Sequence, residues 1–166
     1  MITHRPQRLR GASYVGLQRY FATICTRERS TTFANPPIAL NAIAQLRTIA
    51  VEQRFAIYAY CLMPDHLHFV VFGTTDDADF RSFVTRFKQA TGFDYRRLTG
   101  EFLWQPGFHE RILRNDEATE SVVRYVLENP IRAGLARELG EYPYAGSDLY
   151  TIGQLIALWQ DRHRPV

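Results

Sequence analysis

Two histidines separated by one residue are the first group in this sequence that could do chemistry. His66 and His68 flank Leu67 and follow a turn at residues 63–65. Residues 66–72 have the apolar and aromatic composition of a strand, in which alternate side chains share a face. The two imidazoles would therefore project side by side while Leu67 faces away. This spacing predicts a metal site; the alternative is two half-buried polar histidines at the mouth of a hairpin.

A tyrosine and an asparagine four residues apart form the second group. Tyr125 and Asn129 fall in residues 116–129, which the apolar pattern predicts to be one helix that Pro130 stops. At this spacing the two side chains lie one turn apart at the edge of the apolar stripe. The tyrosine could bury its ring and expose its hydroxyl, and the asparagine oxygen could be a third metal ligand. The alternatives are a tyrosine packed at a core rim and an ordinary Asn-Pro helix ending.

The elements that must position these residues follow the order β-α-β-β-α-β-α. Strands are predicted at 20–26, 55–62, 66–72 and 108–113, and helices at 36–51, from about 80 to Gly92, 116–129 and 152–160, with irregular chain at 93–107. The second and third strands should form an antiparallel hairpin. The order predicts an α+β fold. We expect an antiparallel sheet of about four or five strands with helices on one face, ferredoxin-like or RRM-like in its split βαβ arrangement.

The composition indicates one compact domain with a basic arm. The chain has 166 residues, of which 46% are hydrophobic and 13% aromatic, and its net charge is +3. We divide it into an N-terminal arm at 1–13, a main domain at 14–150 and a C-terminal helical tail at 151–166. No stretch approaches the roughly 20 apolar residues of a membrane span, and no signal-peptide core follows the basic N-terminus. We therefore expect a soluble intracellular protein with no membrane partner.

The cysteines and lysines are few, and both facts are informative. Cys25 and Cys61 lie in apolar, strand-like surroundings, which indicates buried free thiols rather than a disulfide or a cysteine zinc site. Lys88 is the only lysine among 20 basic residues. Arginine matches phosphate oxygens and stacks on bases, so this usage suits a nucleic-acid partner. An arginine bias from a GC-rich genome would give the same composition.

Three runs of residues resemble the REP-associated tyrosine transposases, within the His-hydrophobe-His (HUH) single-tyrosine transposases. They are YCLMPDHLH at 60–68, LWQ at 103–105 followed by Phe108, and RYVLENPIRAGL at 124–135. They occur in the family's order over roughly residues 14–150, and their combination is highly specific. Two departures occur: Asp65 stands where the family usually has Asn, and YPYAGS at 142–147 replaces an aromatic residue followed by a serine pair.

The resemblance implies an HUH nuclease fold and a covalent mechanism. His66 and His68 would bind a divalent metal, Mg²⁺ or Mn²⁺, and Tyr125 would be the nucleophile that forms a 5′-phosphotyrosine link. Asn129 falls where the group often places a third polar ligand, and His109, on the predicted fourth strand, competes with it. The substrate would be single-stranded DNA beside a REP-like hairpin, handled in the bacterial cytoplasm near the nucleoid. A monomer is expected, and a homodimer is possible.

DNA contacts are predicted at basic and aromatic positions, each of which is also explained as an ordinary surface residue. The predicted phosphate contacts are Arg8, Arg10, Arg81, Arg86, Lys88, Arg124 and Arg132, and the predicted stacking residues are Tyr95, Phe102 and Trp104. Three other functions remain open. They are a non-catalytic RRM-like module that binds single-stranded nucleic acid, a hydrolase that uses a metal-bound water, and a replication initiator or relaxase of the same superfamily.

Overall fold

A computed structural model describes residues 13–161 of the chain. Its main elements are β1 Arg19–Cys25, α1 Pro36–Glu52, β2 Phe55–Met63, β3 His66–Gly73, α2 Phe80–Thr99, β4 His109–Leu113, α3 Asp116–Leu127, α4 Asn129–Arg132, β5 Ala145–Gly146 and α5 Ile152–Asp161. The strands form one sheet in the order β4-β1-β3-β2-β5, and every neighbouring pair is antiparallel. The predicted α+β fold with an antiparallel sheet is confirmed.

The β2–β3 hairpin places the histidines at one end of the sheet. Met63 pairs with His66 across the turn, and on the other side of β3 the register pairs His66 with Cys25, at the end of β1. His68 therefore lies between Cys61 and Thr23. The predicted hairpin is confirmed.

The sheet is covered on both faces, which corrects the prediction that the helices lie on one face. Leu67, Phe69 and Val71 of β3 belong to a core formed with α1 and α2. Val70 belongs to a second core with α3 and α5. A bulge in β2 after Ile57 shifts the register. The apolar stripe of α3 indicated that this helix packs on the sheet, but the sequence did not indicate on which face.

Helix α2 is longer than predicted, because Gly92 does not end it. The helix continues to Thr99 and ends at Gly100, whose left-handed backbone (φ 79°) and N–H bond to the carbonyl of Arg96 form a typical helix end. A glycine inside a helix costs only about 1 kcal/mol relative to alanine. The buried side chains of the first three turns of α2 outweigh that cost. The prediction of irregular chain at 93–107 was therefore wrong over residues 93–99.

The C-terminal residues that the structure describes pack on the second core. Helix α5 contributes Leu155 and Trp159 to that core. The turn-rich segment before it forms the two-residue strand β5, which pairs with Tyr60 and Cys61 of β2. None of the helices in residues 13–161 has the length and apolarity to cross a membrane. The predicted arm, including Arg8 and Arg10, lies almost entirely outside the described residues.

Candidate active site

The two histidines point their Nε2 ring nitrogens at one another. His66 and His68 lie on the face of β3 opposite Leu67, as the strand alternation predicted. Their ring centroids are 4.5 Å apart, and their Nε2 atoms are 3.0 Å apart. Two ligands at right angles, each about 2.1 Å from an octahedral ion, also lie about 3.0 Å apart. The pair therefore fits two positions on one divalent metal ion.

The other ring nitrogen of each histidine is held by a neighbouring side chain. Nδ1 of His66 donates to a carboxylate oxygen of Asp65 over 2.6 Å, and the second oxygen of Asp65 accepts from Arg29 over 2.9 Å. Nδ1 of His68 lies 2.7 Å from the hydroxyl of Thr23. Partners of this kind orient the imidazoles of metal sites and keep Nε2 available. The departure from the family at Asp65 thus supplies a full carboxylate partner for His66.

Burial keeps His68 uncharged. The residue is 7% exposed, and burial, together with the nearby His66, Arg132 and Arg29, lowers the pKa of His68 to about 3. A metal ion binds the neutral imidazole, so at neutral pH no proton competes for this ligand.

Tyr125 lies beside this histidine pair. Val122, Val123 and Val126 anchor α3 in the second core, and this leaves Tyr125 at the rim with 46% of its surface exposed. Its ring centroid is 5.9 Å from that of His68, with the rings edge to face. The predicted nucleophile and the predicted metal ligands, which are far apart in the sequence, are therefore neighbours on one face of the sheet.

Two further side chains fix the Tyr125 ring. Phe21 meets it edge to face at 6.1 Å between ring centroids. The guanidinium of Arg132 lies 4.3 Å from the ring centroid and also donates to the backbone carbonyl of Tyr125 over 2.6 Å. A cation on an aromatic face is a favourable contact. The ring is thus held between the sheet and α4.

The helix that carries the tyrosine ends earlier than predicted. The single helix expected at 116–129 ends at Leu127, and Asn129 begins α4. Glu128 closes α3 with its backbone N–H. Pro130 does not stop the helical path, because it lies in the first turn of α4, where a missing N–H has no cost. The local backbone at Glu128 is still helical, with φ −81° and ψ −6°.

The third metal ligand stays a prediction. Asn129 is half-buried at the start of α4. His109 is exposed, and it pairs with Thr23 of β1, which in turn pairs with His68 of β3. One strand therefore lies between the two histidines, and strands that are two apart in a sheet lie about 10 Å from each other. In the part of the chain from 13 to 161, no three His, Cys, Asp or Glu side chains are grouped to hold a metal. Asn129 follows Tyr125 by four residues, and we keep it as the predicted third ligand.

Two of the predicted DNA contacts lie around the active site or on α3, and a third lies at the start of α2. Arg132 holds the Tyr125 ring, as described. Arg124 pairs with Glu128 over 2.7 Å and lies over the ring of Trp159 at 5.6 Å. Arg81 lies 4.1 Å above the ring centroid of Tyr14, at the start of α2. Their contacts with DNA remain predictions.

The remaining predicted contacts lie along α2 and the segment after it. The ammonium of Lys88 donates to the carbonyls of Gln105 and Gly107 over 2.9 and 2.8 Å. The indole N–H of Trp104 donates to the Thr91 hydroxyl over 2.8 Å, and the ring is half-buried. Both side chains therefore hold this segment against α2, whatever else they contact. Tyr95 packs against the first core.

Sequence reasoning missed the residues that hold the histidines. Thr23 and Arg29 gave no signal of their own, because each reaches the site only through strand register or a turn. Asp65 was noticed only as a departure from the family pattern. Its position directly before His66, with an arginine pairing in space, is what makes it part of the site.

The sequence places this chain in the transposase class. The sequence model of the family described as "Transposase IS200 like" matches residues 15–129, more than half of the chain, so the chain belongs to that family. Among individual proteins, it is 24% identical over 136 residues to the REP-associated tyrosine transposase of Escherichia coli (strain K12), covering 80% of this chain and 78% of that one. A Haemophilus influenzae relative is 24% identical over 137 residues, covering 76% of this chain and 77% of its own. These matches confirm the resemblance drawn from the sequence.

A solved structure shares the fold. The structure of a REP-associated tyrosine transposase bound to a REP hairpin superposes with a TM-score of 0.70 at 22% identity. The match covers 84% of this chain and 82% of that one. At this identity the likeness establishes the fold.

Proposed function

We propose that this transposase-family chain is a metal-dependent, single-strand DNA endonuclease and strand transferase that uses Tyr125 as its nucleophile. The observation that carries the proposal is the position of Tyr125, half-exposed and edge-on to His68 at 5.9 Å between ring centroids. A nucleophile beside a pair of metal-ligating histidines is the arrangement that phosphodiester cleavage needs.

The cleavage step exchanges one phosphate ester for another. The Tyr125 oxygen attacks the scissile phosphorus and loses its proton, the bond from phosphorus to the 3′ oxygen breaks, and that oxygen leaves as a 3′-OH. The 5′ end of the DNA is then joined to Tyr125. Because the number of phosphate ester bonds is unchanged, a second 3′-OH can attack the phosphotyrosine and restore a DNA strand. The step needs no ATP.

His66 and His68 would hold the metal ion, Mg²⁺ or Mn²⁺, with Asn129 as the third protein ligand. When bound, the ion polarises the scissile phosphate as a Lewis acid. Asp65 and Thr23 keep the two imidazoles oriented. Phe21 and Arg132 hold the tyrosine ring so that its oxygen approaches the phosphate from one direction, which lowers the entropic part of the barrier.

The proposed substrate is a DNA hairpin with unpaired flanking nucleotides. Two observations support it: a relative is a REP-associated tyrosine transposase, and a protein of the same fold has been solved bound to a REP hairpin. The high arginine content of the chain also suits a nucleic-acid partner. We place the activity in the bacterial cytoplasm, on chromosomal DNA, with a monomer as the working unit. Arg8 and Arg10 of the N-terminal arm would add phosphate contacts.

The test is a denaturing gel of the protein incubated with labelled hairpin DNA and Mn²⁺. The hairpins come from repeats that flank the gene, and Tyr125→Phe is run beside the wild type. Tyr150→Phe, another exposed tyrosine, is the matched control. We expect a metal-dependent, protease-sensitive shifted band from the wild type and from Tyr150→Phe, and none from Tyr125→Phe. Equal cleavage by all three would assign the chemistry to a metal-bound water, and binding without cleavage would leave a recognition module.

A further inference from the structure

A groove runs between α2 and the segment that follows it. Its volume is about 620 Å³, which is within the range of about 300–1,000 Å³ typical of ligand clefts. Phe93 and Arg96 of α2 line it together with Phe102 and Trp104 of the following segment. The groove lies on the α2 side of the sheet, whereas Tyr125 lies on the α3 side. It is therefore separate from the active site described above.

Two phenylalanine side chains of the groove are more than half exposed, and arginine guanidiniums lie beside their rings. Phe93 is 63% exposed and Phe102 56%. The guanidiniums of Arg96 and Arg27 lie 4.6 and 5.5 Å from the Phe102 ring centroid, and that of Arg97 lies 5.8 Å from Phe93. Burying two phenylalanines would have been the favourable solution for packing alone. Exposed rings beside several cations match a surface that stacks bases and contacts phosphates.

The groove is preformed, because hydrogen bonds fix the segment that lines it. Lys88 binds the carbonyls of Gln105 and Gly107, and Trp104 is tied to α2 through Thr91. The Trp104 ring packs on buried neighbours and closes the groove on its core side. A rigid surface loses little entropy when a ligand binds.

One short turn connects the groove with the metal-binding histidines. In the turn Arg27–Arg29, Arg27 lies over Phe102 and its N–H donates to the carbonyl of Leu103. Arg29, two residues later, pairs with Asp65, which in turn binds His66. Glu28 and Arg29 both have left-handed backbones, with φ 55° and 58°, a conformation uncommon for residues other than glycine.

The backbone of this turn is held in place despite its conformation. The buried hydroxyl of Thr26 lies 2.8 Å from the carbonyl oxygen of Ser30 and 2.9 Å from that of Asp65. Such backbone conformations persist where surrounding bonds fix them. The turn thus directs one arginine to the groove and the other to the metal site, around the end of β1.

We propose that this groove binds unpaired nucleotides of the DNA strand that continues from the scissile phosphate. A base stacks on the ring of Phe102, which is 56% exposed, and the guanidiniums of Arg27 and Arg96 move from the ring to the adjoining phosphates. This inference rests on the proposed function and adds to it the place where the single strand is held. Stacking on a phenylalanine tolerates any base, so the groove selects unpaired strands over duplex and does not read sequence.

The test compares binding of two labelled DNAs in EDTA, where no cleavage occurs. One is the hairpin from the flanking repeats with unpaired nucleotides on both sides, and the other is the same hairpin trimmed to its stem and loop. Phe102→Leu should weaken binding of the flanked hairpin by about 5- to 140-fold and leave the trimmed hairpin unchanged. Phe102→Tyr should retain wild-type affinity. Leu98→Ala, at an exposed position of α2 outside the groove, is the matched control.

Contrary results would overturn the inference in distinct ways. Wild-type affinity of Phe102→Leu for the flanked hairpin, or an equal loss for both DNAs, would remove the groove as a single-strand site. The assignment to DNA would be refuted if an RNA strand of the same sequence bound as tightly as the DNA and if that binding also depended on Phe102.

Adduct formation by Tyr125, measured separately with Mn²⁺, distinguishes this inference from the proposed function. An adduct from a wild type whose binding does not depend on Phe102 refutes the groove alone. If Phe102→Leu loses affinity only for the flanked hairpin and the wild type forms no adduct, then only the tyrosine chemistry is refuted. Failure of the wild type to bind either DNA refutes both.

Discussion

Replacing Asp65 should weaken metal binding, and two different substitutions should weaken it to different extents. The carboxylate accepts from Nδ1 of His66 over 2.6 Å and from Arg29 over 2.9 Å. Asp65→Asn can keep one acceptor oxygen on His66, but its amide NH₂ then faces the donors of Arg29 and its negative charge is gone. Asp65→Ala removes both bonds and leaves the orientation of His66 unsupported. The alanine variant should therefore be the weaker metal binder of the two.

The expected magnitudes follow from the effect of such partners on metal-binding histidines. Their loss costs about 10- to 100-fold in metal affinity, or about 1.4–2.7 kcal/mol. We expect Asp65→Asn near the lower figure and Asp65→Ala near the upper. The asparagine variant restores the residue that the family usually has, so it should keep the greater part of its function.

The assay is a Mn²⁺ titration of each purified variant by calorimetry, without DNA, so that the result does not depend on catalysis. Asp148→Asn is the matched control, because Asp148 is also partly exposed and paired with an arginine, Arg47, away from the histidines. It should bind Mn²⁺ like the wild type. If Asp65→Ala binds Mn²⁺ within twofold of the wild type, then the carboxylate does not support a metal ligand and this reasoning is refuted.

Three further predictions concern stability and can be read from denaturation curves. Phe80→Ala should lower the free energy of unfolding by about 3–5 kcal/mol in urea, because the ring is fully buried; Leu98→Ala, at an exposed site, should change it by less than about 0.5 kcal/mol, and equal losses would contradict the described core. Asn115→Ala should cost about 1 kcal/mol, because the asparagine side chain caps α3 by accepting from the N–H of Ala118 over 2.7 Å; an unchanged midpoint would contradict the cap. Burial raises the pKa of Cys61 to about 12, so the folded thiol stays protonated while the unfolded one ionises above about 8.5. The free energy of unfolding of the wild type should therefore fall as the pH rises from about 8.5 towards 12. That of Cys61→Ala should fall less over the same interval. Parallel plots of unfolding free energy against pH for the two proteins would contradict this prediction.

Much of the fold followed from local patterns. The alternation in β3 placed His66 and His68 on one face, and the proline pair at Pro36 and Pro37 marked the start of α1. These features depend on residues close together in the chain, so a single sequence contains them. The face of the sheet that each helix covers depends on long-range packing, and that prediction was wrong.

Helix boundaries were less accurate where one residue was given too much weight. Gly92 was expected to end α2, but the packing of the whole helix outweighs the small cost of one glycine. Pro130 was expected to stop α3, but α3 ends earlier, at Leu127, and Pro130 lies in the first turn of α4. In each case the local preference was real, and the tertiary context decided its consequence.

The candidate site was predictable in its central residues and not in their supports. Spacing and resemblance brought His66, His68 and Tyr125 together, and the structure places them within one cluster. The bond from Thr23 to His68 depends on the register between β1 and β3, which a single sequence does not determine. Arg29 reaches Asp65 only because of two left-handed residues in a turn, and no pattern in the sequence indicates these.

The central claim is that Tyr125 becomes covalently joined to DNA. The most direct measurement is tandem mass spectrometry of the adduct formed with hairpin DNA and Mn²⁺, after digestion with protease and nuclease. We predict a peptide that contains Tyr125 with a nucleotide attached through its 5′ phosphate to the tyrosine oxygen. A nucleotide on any other residue, or cleaved DNA with a free 5′ phosphate and no modified peptide, would contradict the account.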